Sequence, residues 1–233
     1  MSIIKRPAYA RGRSDNDWLT SRHTFSFGEY FDPAHTGYRS LRVINDDIVA
    51  PGQGFGQHGH RDAEIVTYVL EGSLEHRDSM GNGRILRAGD LQYMSAGRGV
   101  LHSEFNPSVD TRVHFLQIWL VPRISGGEPR YAEKSLAVDA QRDGLTLMFA
   151  GTPRDGAMAI RADADVYFGR IAADGSIGHP LRTLHGVWLH VIKGNVAVMA
   201  ENLGAGDGAS IEGIDTVEME SATGAEFLLF DMP

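Results

Sequence analysis

Nine residues, Tyr68–His76 (YVLEGSLEH), return in altered form at His190–Val198 (HVIKGNVAV), with Gly72 in register with Gly194. Two further pairs follow in the same order: Arg87–Met94 (RAGDLQYM) with Gly204–Ile211 (GAGDGASI), and His114–Leu120 (HFLQIWL) with Glu226–Met232 (EFLLFDM). The offset shrinks from 122 to 117 to 112 residues, as expected of two related modules of which the second has slightly shorter connections. One large sandwich is the competing architecture, because each match is also an ordinary strand-turn-strand pattern. Three matches in order favour two jelly-roll barrels in tandem, 1–123 and 124–233, joined near PRISGGEPRYAEK. The 28 glycines punctuate short runs rich in Val, Ile, Leu, Thr, Tyr and Phe, and sustained helical periodicity is missing, so the class is all-β. Candidate strands are Ser40–Val49, Glu64–Leu70, Ser73–Asp78, Gly89–Met94, Arg112–Val121, Val187–Ile192, Asn195–Met199 and Glu226–Phe230.

Composition removes several functions. With 233 residues and 42% apolar content, the chain has material for one large core or two modest ones. A net charge of −8, from 30 acidic and 22 basic residues, disfavours direct nucleic-acid binding, which needs a clustered basic face. The densest basic stretch, KRPAYARGR near the amino terminus, reads as a solvated arm. No cysteine is present, so disulfides, zinc-thiolate clusters and thiol nucleophiles are excluded, and any metal must be held by nitrogen and oxygen. No apolar run has the length of a membrane span and the start lacks a signal-peptide core, so a cytoplasmic protein without a membrane partner is expected.

The chemistry-bearing residues come in two pairs. In Phe55–Val66 (FGQHGHRDAEIV), His58 and His60 are one residue apart, and on a strand such residues face the same side. Alone, the pair fits a turn-capping or solvent-exposed role at least as well as a metal site. Farther on, His102 and Glu104 in AGRGVLHSEFN repeat the spacing. Two strands would then offer three imidazoles and one carboxylate. That donor set suits Fe(II), Mn, Co, Ni, Cu(II) or Zn, and lacks the soft sulfur that would narrow the choice. Six-coordinate binding would leave two positions open for chemistry; a tetrahedral zinc would close the site as a structural one.

At these residues a family resemblance appears. Gly52-x5-His58-x-His60-x3-Glu64, followed by Gly72, resembles the first motif of cupin barrels, and Gly89 to Asn106, ending His102-x3-Asn106, resembles the second. HGHRDAEIVTYVLEGSLEHRDSMGN and GDLQYMSAGRGVLHSEFNP resemble the pirin family, and WLTSRHTFSFGEYFDP with LRVINDD resembles its bacterial, quercetin-dioxygenase-like branch. The likeness covers nearly the whole chain and is strongest from Trp18 to Trp119. It implies two tandem cupin domains, the first holding one divalent metal, commonly iron, through His58, His60, His102 and Glu104. In most cupins the first-motif glutamate is a ligand. Here that position is nearest Glu64, one residue earlier relative to Gly72 than is common, and the pirin resemblance leaves Glu64 as a non-ligand. The second barrel has His179, His185 and His190 but no His-x-His or His-x-Glu, and these three are expected to be surface or packing residues without a metal.

The activity implied is metal-dependent dioxygenation of a flavonol such as quercetin, with dioxygen as co-substrate, Glu104 as proton acceptor and carbon monoxide released. The resemblance also permits a metal-binding regulatory or redox-sensing protein that acts through a protein partner. A cupin isomerase or hydrolase would use the same open positions without oxygen. Phe55, Phe105, Phe115 and Trp119 are candidate walls for an aromatic ligand. His76 is expected to be a hydrogen-bonded barrel histidine and Asn106 to make a strand-end hydrogen bond.

Overall fold

The computed structural model describes residues 1–136 and 142–233. These form two compact units: residues 12–136, and Met1–Arg11 together with residues 142–233. The first unit contains β2 (Gly12–Asp15), β3 (Leu19–His23), β4 (Leu41–Val49), β5 (Gly54–His60), β6 (Glu64–Glu71) and β7 (Ser73–Asp78). It continues with β8 (Gly83–Arg87), β9 (Asp90–Ser95), β10 (Val100–Phe105), β11 (Val113–Leu120) and β12 (Arg130–Ser135). The second holds β1 (Ser2–Arg6), β13 (Gly144–Ala150), β14 (Met158–Ala159), β15 (Asp165–Ile171), β16 (Gly175–Pro180) and β17 (Gly186–Val198). Its last strands are β18 (Glu201–Gly204), β19 (Gly208–Glu212), β20 (Thr216–Ser221) and β21 (Ala225–Met232). A 3-10 turn at Ala8–Ala10 is the one helical element among the described residues.

In the first unit a seven-stranded sheet, ordered β12-β9-β6-β11-β4-β3-β2, packs on a four-stranded sheet, β5-β10-β7-β8. Leu74 and Leu86 from the smaller sheet bury against Val49, Val69, Val113 and Phe115 from the larger. Alternation does this work: on β3 the pattern of exposure alternates residue by residue, so one face serves the core. The second unit repeats the plan. β15, β21, β17 and β19 lie side by side as β4, β11, β6 and β9 do, and β16 pairs with β20 as β5 pairs with β10.

The sequence echo therefore has a structural cause. Gly72 and Gly194 have φ of +76° and +75°, a region open to glycine and costly for other residues. A side chain at Gly72 would strike the Arg112 carbonyl oxygen at 2.5 Å, and one at Gly194 would strike that of Gly224. The second matched pair behaves alike: Gly89 N–H donates to Val69 O at 2.9 Å and Gly206 N–H to Val191 O at 2.8 Å.

Three expectations change. Val187–Ile192 and Asn195–Met199 are one strand, β17, which begins beside β19 and β21 and ends beside β18 and β20. The equivalent path in the first unit is broken at Gly72 into β6 and β7. The segment KRPAYARGR is not a solvated arm: β1 pairs with β19 from Ser2↔Glu212 to Arg6↔Gly208, Arg6 is buried, and Lys5 Nζ lies 2.9 Å from Asp207. The division at 123/124 also shifts, because β12 completes the first unit by pairing with β9, and β1 covers β19 at the matching place in the second. Both are edge-strand additions between distant residues, which local sequence patterns do not encode.

Candidate metal centre

Antiparallel pairing of β10 with β5 sets His102 directly opposite His58 and Val100 opposite His60. On β10, Val100, His102 and Glu104 are the buried alternate positions, so the His-x-Glu spacing aims both side chains inward. A register shift follows, and Glu104 pairs with Phe55 rather than Gly56, so β5 carries one extra residue there. Gly54 lies at the end of this irregular stretch. A Cβ at Gly54 would collide with the Glu104 carbonyl oxygen and come 2.6 Å from Phe105 Cα, both backbone atoms. Gly54→Ala is expected to cost about 2 kcal/mol and to weaken metal binding about tenfold by displacing β5 from β10. Thermal denaturation and metal titration of the variant measure the two effects.

The three imidazoles converge through the same atom. His102 Nε2 lies 2.9 Å from His60 Nε2 and 3.0 Å from His58 Nε2. Three imidazole nitrogens this close present convergent lone pairs to a single divalent ion. Burial and the neighbouring histidines push the pKa of His60 down to about 4 and of His102 to about 3, so both are neutral, the form that donates to a metal. His58 Nδ1 donates to Gly56 O at 2.8 Å, which leaves its Nε2 lone pair free. The donor set and its protonation fit a divalent ion.

A second group shares His102: ligand atoms of His76, His102 and Glu104 lie within 4.8 Å of one another, as do those of His58, His60 and His102. Pairing of β10 with β7 explains it, since Glu104 faces His76 and His102 faces Asp78. Both nitrogens of His76 are engaged, Nδ1 with Gln92 at 2.9 Å and Nε2 with Asp78 at 3.2 Å. The Thr67 hydroxyl donates to Gln117 Oε1 at 2.8 Å, and Gln117 Nε2 donates to Glu104 Oε2 at 2.8 Å. Thr67 also lies 3.3 Å from Glu104 Oε1, the less engaged oxygen. Glu104 thus stands beside the convergent nitrogens without belonging to their tightest group. Glu64 is elsewhere: its buried carboxylate accepts from the hydroxyls of Tyr93 and Ser95.

A cavity of about 140 Å³ opens beside these ligands, bounded by His58, His60 and Glu104 on one side and by β3 and β4 residues on the other. Phe27, Phe55 and Trp119 form its apolar walls, with Trp119 edge-on to His60 at 4.8 Å. Of the other expected wall residues, Phe115 lies in the core and Phe105 is partly exposed. Sequence reading missed the polar wall of Ser21, His23, Asn45 and Asp47. Its signal was present in LRVINDDIV, where Asn45 and Asp47 share the alternate positions of Leu41, Val43 and Val49. His23 Nδ1 donates to Asn45 Oδ1 at 2.8 Å, and the Ser14 hydroxyl lies 2.8 Å from His23 Nε2.

Burial, opposed by a hydrogen bond from Ser21 and reinforced by the charges of Asp46 and Glu104, raises Asp47 to about 7; His114 pulls the other way. A carboxyl group that binds its proton more tightly when folded stabilises the fold fully below the unfolded value near 4, and that contribution is lost as pH rises through about 7. Asp47→Asn is therefore expected to gain stability relative to the parent between pH about 4 and about 7, and no further above that. Urea denaturation across this range measures the difference.

The comparisons with known proteins agree with this architecture. Residues 5–120 match the family model described as pirin, and 132–232 match that of the quercetinase C-terminal cupin domain. The chain is 42% identical over 231 residues to quercetin 2,3-dioxygenase of Escherichia coli strain K12, covering 99% of both chains. The chain belongs to the pirin family. This pirin is built as two tandem cupin barrels. It matches the crystal structure of the Escherichia coli bacterial pirin YhhW in complex with nickel(II) with a TM-score of 0.95 and 42% identity, over 100% of this chain and 99% of that one. A pirin-like protein of Caulobacter vibrioides is 35% identical over 230 residues, 98% of this pirin and 99% of the relative.

In the second barrel of this pirin two of the three histidines expected at the surface or in packing, His179 and His185, lie against a buried carboxylate. His179 Nε2 lies 3.0 Å and His185 Nδ1 2.5 Å from Asp231, which is buried on β21. Arg154 and Arg182 hold Asp165, the partner of Asp231 across β15 and β21. His190 is buried on β17. Long-range charge pairs of this kind leave no local pattern to read.

Proposed function

We propose that this pirin is a metal-dependent dioxygenase that cleaves a flavonol such as quercetin with release of carbon monoxide, in the cytoplasm. One divalent ion, Fe(II) first among the candidates, is held by His58, His60, His102 and Glu104. The observation that carries the reading is the cavity that borders His58, His60 and Glu104 while presenting aromatic walls. The name of the Escherichia coli relative points to the same substrate class. When bound, the ion supplies Lewis acidity and open positions for oxygen donors. The rest is done by the chain. Glu104 accepts the proton of the substrate hydroxyl, with the Thr67–Gln117 pair fixing its other oxygen. Phe27, Phe55 and Trp119 hold a flat ring and exclude water. A cavity of about 140 Å³ encloses one ring system of a flavonol and leaves the remainder at its mouth.

Reconstitution of the metal-free protein with Fe(II) or another divalent ion, with quercetin loss, oxygen uptake and carbon monoxide followed together, tests the proposal. Metal binding without turnover would favour the regulatory reading, in which the ion governs a partner surface.

A further inference from the structure

The cavity that borders His58 and His60 is also lined by Asp47, a carboxyl group with one oxygen left without a hydrogen-bond partner. Asp47 is 4% exposed, one of its oxygens is engaged through Ser21, and Oδ1 is buried without a hydrogen-bond partner. A buried oxygen without a partner destabilises the fold unless something else hydrogen-bonds to it. Its neighbours do not complete it. Asn45 and Ser14 are engaged with the two nitrogens of His23, and the His23 ring lies against Phe27 at 5.3 Å. Asp47 and Asn45 reach the same cavity because they are alternate residues of β4, which Ser21 and His23 of β3 flank in register. The wall is rigid and buried, and it offers one unsatisfied acceptor.

We propose that Asp47 reads the substrate: it accepts a hydrogen bond from a hydroxyl group of the ligand ring enclosed in the cavity. This rests on the flavonol reading and deepens it. The ligand is a hydroxylated aromatic held at two points, by an oxygen donor on the imidazole side and by a second hydroxyl at Asp47. A pocket that hydrogen-bonds a substrate hydroxyl rejects the analogue lacking it far more strongly than an apolar pocket rejects a change in size, because the pocket's own polar group is left unpaired. Asp47 is a specificity-determining residue, and the ion's binding does not depend on it.

The test uses the full-length, metal-loaded protein and a series of flavonols that keep the 3-hydroxyl and 4-keto groups but each lack one other hydroxyl. Dissociation constants and kcat/KM are measured for the parent, Asp47→Asn and Asp47→Leu, with metal content and circular dichroism as controls for folding. One analogue is expected to bind the parent roughly 100-fold more weakly than the complete flavonol, and Asp47→Leu to reduce that ratio to within about threefold of unity. Asp47→Asn, which keeps the shape and an oxygen acceptor, is expected to retain part of the discrimination. If every analogue keeps its rank in Asp47→Leu, Asp47 is a hydrated structural residue and the proposal falls. Should the parent bind flavonols with this pattern but turn none over, the dioxygenase reading fails and the Asp47 assignment stands. An absence of flavonol binding by the parent would overturn both.

Discussion

His102→Ala is expected to abolish stoichiometric metal binding, because its Nε2 lies within 3.0 Å of both other imidazole nitrogens and no neighbour stands ready to replace it. Loss of a partner outside the ligand set already costs about 10–100-fold in affinity, so loss of His102 or His58 should exceed about 100-fold. Glu104→Gln should also lower occupancy and activity sharply, since an amide keeps the shape and the Gln117 neighbour but removes the charge. Glu64→Gln provides the contrast. Its carboxylate is bound by Tyr93 and Ser95, so the variant should lose stability by about 2 kcal/mol and retain its metal. Metal analysis after gel filtration, with thermal denaturation alongside, separates the two outcomes. If Glu64→Gln loses the metal and Glu104→Gln retains it, the carboxylate assignment is wrong.

Asp231→Ala is expected to cost the second barrel about 3 kcal/mol, or roughly 10 °C in melting temperature. Asp231 is nearly inaccessible, and two imidazoles lie against it, so truncation leaves buried polar atoms unpaired. The nearby Arg182 is half exposed and recovers hydration, which keeps the loss at the lower end of the range for a broken buried pair. Burial alone would raise the pKa of Asp231, but hydrogen bonds from His179 and His185 and the charge of Arg182 outweigh it and hold it below the usual value. Stability from such a group is present above the unfolded value near 4 and is lost as pH falls below it. The gap in melting temperature between parent and variant should therefore be full at neutral pH and close in acid.

How much of this was legible depends on the range of the interaction. The repeat was readable because a positive φ at Gly72 and Gly194 restricts those positions, and because alternating strands must bury one face. The placement of the candidate pairs was readable for the same reason: a spacing of one residue puts His58 with His60 and His102 with Glu104 on one side of a strand. What joins the pairs was not readable. The pairing of β10 with β5 joins residues 40 or more apart, the position of Glu104 depends on the irregular register after His102, and Gln117 reaches Glu104 from a strand whose other residues, His114 apart, are apolar. Asp47 was visible as a buried-polar anomaly in LRVINDDIV, but its cavity exists only when β3, β4, β5 and β10 are assembled. The Asp231 network draws on six other residues, Arg154, Asp165, Tyr167, His179, Arg182 and His185, and nothing local marks them as neighbours.

The pairing of β1 with β19 orders events during synthesis. Ser2 is made some 200 residues before its partner Glu212, roughly 10–40 s at about 5–20 residues per second. Residues 12–136, which contain all four candidate ligand residues, are complete long before then. The candidate centre therefore has time to assemble while β1 waits as an unpaired edge. Lys5 and Arg6 give that waiting strand a charge that discourages self-association.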